Sequence, residues 1–381
     1  MSDTVYTFVS TCLFGLEKTL GQEIDSLGYK RISTIDGRVT FEGGADAAAR
    51  CNINLRTAER LYVRIGESKV ESFDELFEFV KGLPWEEWIG RNDAFPVKGH
   101  SIKSKLFSLP DIQKIIKKAV AGRLSSKYGV EWFEENAEKY QIEFFILNDS
   151  ASLMIDISGL PLHKRGYRPA ALEAPLRETL AACMVIGAHL KDGIVLRDPF
   201  CGSGTIPIEA ALYLTNSPVG INNRFISESY PAFPVSLWQS AREEAKSLIR
   251  RETGVEIIAS DLDPKAVEVA KANIRRAGME IFIELRKENA LDITSEGRKG
   301  TIICNPPYGE RLSDVRTVEK LYRDMGITFR SLDNWQLYIL TNDEEFEKKF
   351  GMRSDKRKRL YNGMMRCTLY QFYKPRTEKK N

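Results

Sequence analysis

Asp198-Pro199-Phe200-Cys201-Gly202-Ser203-Gly204-Thr205 follows the apolar run Ile194-Val195-Leu196 and leads into a helix expected over residues 206–214. Strand, glycine turn and helix in that order predict a βα unit of an open α/β sheet. Such sheets bind ligands at the carboxyl ends of their strands, and two glycines at the turn let a ligand approach the backbone. The turn is not a dinucleotide fingerprint, which wants a third glycine where this chain has Pro207. Nor is it a phosphate loop, because no Lys-Ser or Lys-Thr follows Gly204.

Working outward, strand and helix patterns keep alternating. Strands are expected near 194–197, 256–259, 281–285, 301–304 and 336–340, with helices over 176–190, 264–277 and 315–332. That alternation predicts parallel βαβ units. Asn362-Gly363, set between β-rich stretches of 358–374, predicts a closing hairpin. Between Tyr213 and Gln239 no period holds, and Pro218, Pro231, Pro234 and Trp238 mark a long insertion of the kind that is often functional or lid-like.

The first 160 residues are patterned differently. Val5–Val9 alternates as a strand, Leu16, Leu20, Ile24 and Leu27 are spaced as a helix, and 32–41 reads as strands around Asp36-Gly37. Helical spacing returns over 73–80, a short strand begins at Ala94–Val97, and an amphipathic helix is expected over 111–128. Strands at 140–147 and 151–157 close this half around an Asn148-Asp149 turn. Periodicity stops over Gly159–Pro175, where His163-Lys164-Arg165-Gly166-Tyr167-Arg168 and three prolines predict a boundary.

Three more motifs fall at expected strand ends. In Ala259-Ser260-Asp261-Leu262-Asp263-Pro264, Asp261 can accept hydrogen bonds from both ribose hydroxyls of a nucleoside, or cap the next helix. Asp263 is the better cap, with Pro264 as the first helical residue. In Asn289-Ala290-Leu291-Asp292, Asp292 can accept from an exocyclic adenine amine, as any loop Asn or Asp can. Asn305-Pro306-Pro307-Tyr308-Gly309 is the most specific. Consecutive prolines fix the backbone and lack donors, so their carbonyls are free to face a site. The Asn305 amide oxygen and a proline carbonyl can accept both protons of a planar amine while Tyr308 stacks on the base that carries it. The amine's lone pair is then aimed at an electrophilic methyl group without a strong base. Cys201 and Cys304 beside these motifs read as small packing residues rather than nucleophiles.

The 381 residues are 43% hydrophobic, 29% charged and 10% aromatic, which excludes disordered, collagen-like and coiled-coil chains. No apolar run approaches the roughly 18–20 residues of a bilayer span. Met1-Ser2-Asp3-Thr4 does not resemble a secretory signal, so a cytoplasmic protein is expected. Six scattered cysteines and three histidines predict neither a disulfide framework nor a metal site. The net charge of +3 hides two islands: eight Lys/Arg against Asp111 over 96–130, and twelve against three acids over 347–381. Polyanion contact and solvated faces both fit such islands.

These residues resemble the class I S-adenosylmethionine-dependent methyltransferases that modify exocyclic amines. Upstream, Cys12-Leu13-Phe14-Gly15-Leu16-Glu17, the basic 96–130 region, His163–Arg168 and Ala174-Pro175-Leu176 look like the THUMP-domain guanine-N2 RNA methyltransferases, most nearly the bacterial large-subunit rRNA enzymes. The resemblance implies a Rossmann-like class I methyltransferase domain over 176–381. Before it would come an α+β region, made of a ferredoxin-like unit (1–55) and a THUMP RNA-binding domain (56–160), with a linker over 161–175. It implies S-adenosylmethionine as cofactor and no metal. Asp198, Phe200, Gly202, Gly204, Asp261, Leu262, Asn289, Ala290, Asp292 and Asn305 would bind the cofactor. Asn305, Pro306, Pro307 and Tyr308 would bind and orient the guanine amine. The partner would be RNA, rRNA first and tRNA as the alternative, with no membrane. The same Asn-Pro-Pro-Tyr also occurs in DNA adenine-N6 methyltransferases, and a non-catalytic RNA-binding assembly factor is the remaining reading. Arg165 and Arg168 fit RNA contact or an interdomain ion pair, and His163 fits a structural role. A segment comparable to 213–239 is expected to be structural or substrate-covering.

Overall fold

The computed structural model describes residues 4–168, 176–308 and 315–373. Its first half contains β1 (Tyr6–Thr11), α1 (Glu17–Ser26), β2 (Lys30–Ile35), β3 (Arg38–Gly43), α2 (Asp46–Asn54), β4 (Arg60–Lys69), α3 (Phe73–Gly82), β5 (Val97–Ile102), α4 (Leu109–Tyr128), β6 (Ile142–Leu147) and β7 (Ser150–Asp156). The strands form one sheet in the order β2-β3-β1-β4-β7-β6-β5, antiparallel except for β5 beside β6. Strand β6 shows the expected alternation, with Ile142, Phe144 and Ile146 buried under the helices. Helix α4 buries Ile112, Ile116, Ala119, Val120 and Leu124, so its lysines face out.

Strand β4 and helix α2 do not figure in the sequence reading. β4 is central: it pairs with β1 (Phe8 opposite Val63) and with β7 (Tyr62 opposite Asp156). A boundary drawn after residue 55 therefore falls just before a strand that both flanking units share. A register shift between Arg64 and Gly66 breaks the period-two pattern in mid-strand.

The second half contains α5 (Glu178–Ala188), β8 (Val195–Asp198), α6 (Thr205–Leu214), α7 (Val235–Ser247), β9 (Glu256–Asp261), α8 (Pro264–Arg276), β10 (Ile283–Lys287), β11 (Gly300–Cys304), α9 (Val315–Arg330), β12 (Trp335–Thr341), α10 (Phe346–Phe350), β13 (Lys356–Asn362) and β14 (Met365–Phe372). The sheet order is β10-β9-β8-β11-β12-β14-β13, parallel except for β14. β8 and β11 are buried along their whole length, as parallel strands covered on both faces must be. The hairpin is present, but Asn362 pairs with Met365. Its two-residue turn is therefore Gly363-Met364, with Gly363 at φ +64°.

Residues 215–247 join the halves instead of covering a site. The Gly220 amide donates to the Ile53 carbonyl at 2.9 Å, and a Cβ at Gly220 would lie 2.5 Å from the Asn52 carbonyl oxygen. Phe233 packs on Tyr6 and Trp88, Tyr230 stacks on Tyr140 at 4.2 Å, and Arg50 forks onto Glu244. Buried ion pairs reinforce the seam. Arg165 lies 3.4 Å from Glu209, which also accepts from the Tyr167 hydroxyl, and Arg168 pairs with Glu178 at 2.9 Å. Glu59 gathers His163, Arg177 and Thr179. Burial raises the Glu59 carboxyl, but these partners outweigh it and hold it below the usual carboxylate range. Arg165 and Arg168 thus make ion pairs, but with Glu209 and Glu178 of the second half rather than with acids of the first, and Arg165 is too buried to reach RNA.

Candidate active site

A cleft of about 950 Å³ opens where the carboxyl ends of β8, β9, β10 and β11 converge. Phe200 and Gly202 contribute from the loop after β8, Asp261 and Leu262 from the end of β9, and Asn289 and Ala290 from the loop after β10. Asn305, Pro306, Pro307 and Tyr308 contribute from the loop after β11. Four stretches spread over residues 200–308 thus share one cavity. Asp198, Gly204 and Asp292 lie outside its lining. Gly204, at φ +81°, is the left-handed residue that opens α6, and Asp292 is exposed one turn beyond Asn289. Gly309 and Ala174-Pro175 fall outside the described residues.

Backbone hydrogen bonds hold the loops in register. The Cys201 amide donates to the Ser260 carbonyl at 2.9 Å, and the Gly202 amide to Asp261 Oδ2 at 2.9 Å. Asp261 Oδ1 accepts from the Asp263 amide at 3.0 Å. Asp263 caps α8 by accepting from the Lys265 amide at 2.9 Å, with Pro264 as the first helical residue. The Asn289 side-chain oxygen accepts from the Leu291 amide at 3.1 Å, so it shapes its own loop.

The site fits a nucleoside-bearing cation. A carboxylate has about four acceptor positions, and Asp261 spends two on backbone donors, leaving others for hydroxyl groups. Leu262 is 63% exposed and presents bare apolar surface in the cleft. A Cβ on Gly202 would meet nothing within 4 Å, so the loop leaves open space there. Asp198, beneath the floor, accepts one backbone hydrogen bond, from Phe200 at 3.2 Å. Burial pushes its carboxyl well above the usual carboxylate range, an environment that a nearby positive charge would relieve.

At the other end of the cleft, the Pro307 carbonyl accepts from the Tyr322 hydroxyl at 2.9 Å and is committed to the scaffold. Tyr322 also bonds Thr341 and is fully buried. Tyr308 does not stand ready to stack: its hydroxyl donates to Asn305 Oδ1 and lies against Cys367. Thr317, Val318 and Leu321 on α9, and Asn362 at the hairpin, line the cleft but carry no signal in the sequence. Burial raises the Cys201 and Cys304 thiols, so both stay protonated, as packing residues do.

Fold and cleft together define a class I methyltransferase, the class that draws its methyl group from S-adenosylmethionine. The chain belongs to the RMKL-like methyltransferase domain family (UPF0020), whose pattern it matches over residues 165–371. The RlmL ferredoxin-like domain matches over 7–62 and the THUMP domain over 70–156. It is 40% identical over 378 residues to "Putative RNA methyltransferase YpsC" of Bacillus subtilis, covering 98% of each chain. It is 31% identical to "Ribosomal RNA large subunit methyltransferase K/L" of Syntrophotalea carbinolica, covering 97% of this chain but 54% of that one. Thus it spans about half the length of the K/L proteins. Among solved structures, SMU.472, a "putative methyltransferase complexed with SAH", superposes with a TM-score of 0.92 at 38% identity, covering 99% of this chain and 100% of that one. A "predicted N6-adenine-specific DNA methylase" of Listeria monocytogenes superposes equally, at 0.92 and 41% identity, covering 98% of this chain and 97% of that one. Among the described residues, no helix is long and apolar enough to cross a membrane, and no group of three His, Cys, Asp or Glu could hold a metal ion.

Proposed function

We infer that this chain methylates the exocyclic N2 amine of a guanine in RNA, with 23S-type rRNA as the substrate and the cytoplasm as its place of action. The observation that carries this reading is the shared cleft, in which Asn305 and Pro306 sit across from Gly202, Asp261 and Leu262. S-adenosylmethionine, when bound, supplies an electrophilic methyl group on a sulfonium sulfur. Asp261 would hold its ribose, Leu262 its adenine and Gly202 its methionine end. Asn305 Oδ1 and the Pro306 carbonyl accept the two amine protons and turn the nitrogen lone pair toward the methyl carbon. As the new N–C bond formed, the methyl–sulfur bond would break and its electrons return to sulfur, leaving neutral S-adenosylhomocysteine; the nitrogen would become positive, and the same two oxygens would stabilise that charge until a proton left to solvent. The incoming amine takes the acceptor that the Tyr308 hydroxyl now occupies, which releases the ring to stack on the extruded base.

RNA is favoured over DNA by the THUMP match, and Lys114 and Lys118 on the outer face of α4, beside a shallow groove, suit a polyanion. Nucleoside mass spectrometry on rRNA and tRNA from a strain lacking the gene tests the reading. Loss of N2-methylguanosine from large-subunit rRNA is the expected result. Its loss from tRNA alone would move the substrate, and no loss from either would overturn the reading.

A further inference from the structure

The Cys12–Glu17 motif has no part in the chemistry above, yet it is built with care. The Gly15 amide donates to both Glu17 carboxylate oxygens, at 3.1 and 2.9 Å, and Glu17 also accepts from the Gly37 amide at 2.9 Å. Gly15, at φ +91°, sits so close to β13 that a Cβ would lie 2.6 Å from the Arg359 carbonyl oxygen. The loop thereby presses the N-terminal half against the edge strand of the catalytic sheet. Beside that seat, Phe14 stands 53% exposed and meets Tyr361 edge to face, centroids 5.9 Å apart.

The hairpin's two faces do different things. Leu360, Asn362 and Cys367 face inward: Leu360 is buried against Gly15, Asn362 lines the cleft and Cys367 touches Tyr308. The alternation of β-strand side chains sends Arg359 and Tyr361 to the opposite face, where Arg366 stands across from Tyr361. Arg359 is exposed and makes no ion pair among the described residues, and Arg366 has only a 3.7 Å contact to the exposed Glu344. Two aromatic rings from different domains and two arginines thus lie on one face of the hairpin, whose other face lines the catalytic cleft through Asn362.

We propose that Phe14, Tyr361, Arg359 and Arg366 form a platform for the single-stranded RNA that flanks the target nucleotide. The rings stack a neighbouring base and the guanidiniums hold its phosphates. Such a pairing of aromatic faces with a basic track is what sequence-tolerant single-strand binding requires. A purely structural Phe14–Tyr361 contact would need neither the exposure of Phe14 nor the free Arg359. The proposal rests on the RNA substrate inferred above and specifies where that RNA runs.

The test is the affinity of the full-length protein for a fluorescein-labelled oligouridylate, read by anisotropy across a salt series. Phe14→Ala and Tyr361→Ala should each weaken binding by about tenfold while the salt slope stays unchanged, and Phe14→Trp should restore it. Arg359→Gln should lower the slope of log affinity against log salt by about 0.7, the value for one phosphate of a single strand. Affinity for S-adenosylhomocysteine should not change in any variant, which also reports that each is folded. Unchanged oligouridylate affinity in Phe14→Ala, Tyr361→Ala and Arg359→Gln overturns the platform, whatever the enzyme methylates. Methylation of deproteinised rRNA by the wild type is measured alongside. Its absence would count against the substrate reading alone.

Discussion

The molecule contains two seven-stranded sheets that solve different problems. In the catalytic sheet the parallel strands β8, β9, β10 and β11 all end at one edge, so four loops far apart in sequence meet in a single cleft. The N-terminal sheet is antiparallel apart from one pair, so its strand ends are divided between two edges. What that sheet offers is surface, including the helix α4 whose apolar side is spent on the core and whose lysines are left outside. Parallel topology concentrates polar groups at a point, whereas antiparallel topology spreads them over a face.

Removing a tie between the sheets should have the largest effect. Arg165→Met leaves Glu209 buried without its cation, which should cost about 3–5 kcal/mol in urea denaturation. A loss under 1 kcal/mol would mean the seam does not depend on this pair. Next comes the point-like site itself: Asn305→Ala should lower kcat by about 10²–10³-fold, with affinity for S-adenosylhomocysteine unchanged by calorimetry. Equal turnover would remove Asn305 from the reaction. Asp261→Ala should weaken cofactor binding by roughly 1.5–3 kcal/mol, the scale of lost charge-assisted hydrogen bonds.

The surface side of the comparison predicts smaller, additive effects. Lys114→Gln and Lys118→Gln should each reduce the salt dependence of RNA binding by about 0.7–0.9 in slope. Lys117→Gln should do less, because its Nζ already pairs with Glu135 and sits 3.5 Å from the Phe95 ring centre. Equal slopes for all three would show that the Lys117–Glu135 pair does not lower that lysine's share of binding. The smallest effect is on pH dependence. Glu59 is held below its ordinary carboxyl value, so its contribution to stability is complete above about pH 4.5 and fades as acid protonates it in the folded state. In Glu59→Gln that part of the acid-induced fall in Tm should disappear.

The two sheets also differed in how far they could be read from sequence. Every parallel strand of the catalytic sheet lies within about two residues of its expected place, because buried parallel strands are short apolar runs bounded by turn residues. The motif loops could be assigned to one site because the strand-end rule does not depend on side-chain detail. Strand β4 was missed because its bulge at Arg64–Gly66 breaks the alternation that would reveal it. Helix α7 was half hidden: Trp238, Ala241 and Ala245 are helically spaced, but the prolines before them made the segment look irregular. Thr317, Val318 and Leu321 read only as a helix face, since nothing local shows that a cleft lies beside it. The commitment of Pro307 to Tyr322 was invisible for the same reason: its partner lies on another element.

The packing of residues 215–247 against the first half has a consequence for synthesis. Tyr6 and Trp88 leave the ribosome long before Phe233, the ring that covers them, and the face of α2 waits as long for α7. About 150 residues separate Trp88 from Phe233, a delay of roughly 7–30 s at about 5–20 residues per second. For that interval the N-terminal sheet carries an uncovered aromatic patch. The nascent chain must be kept from neighbouring chains until its own later segment arrives.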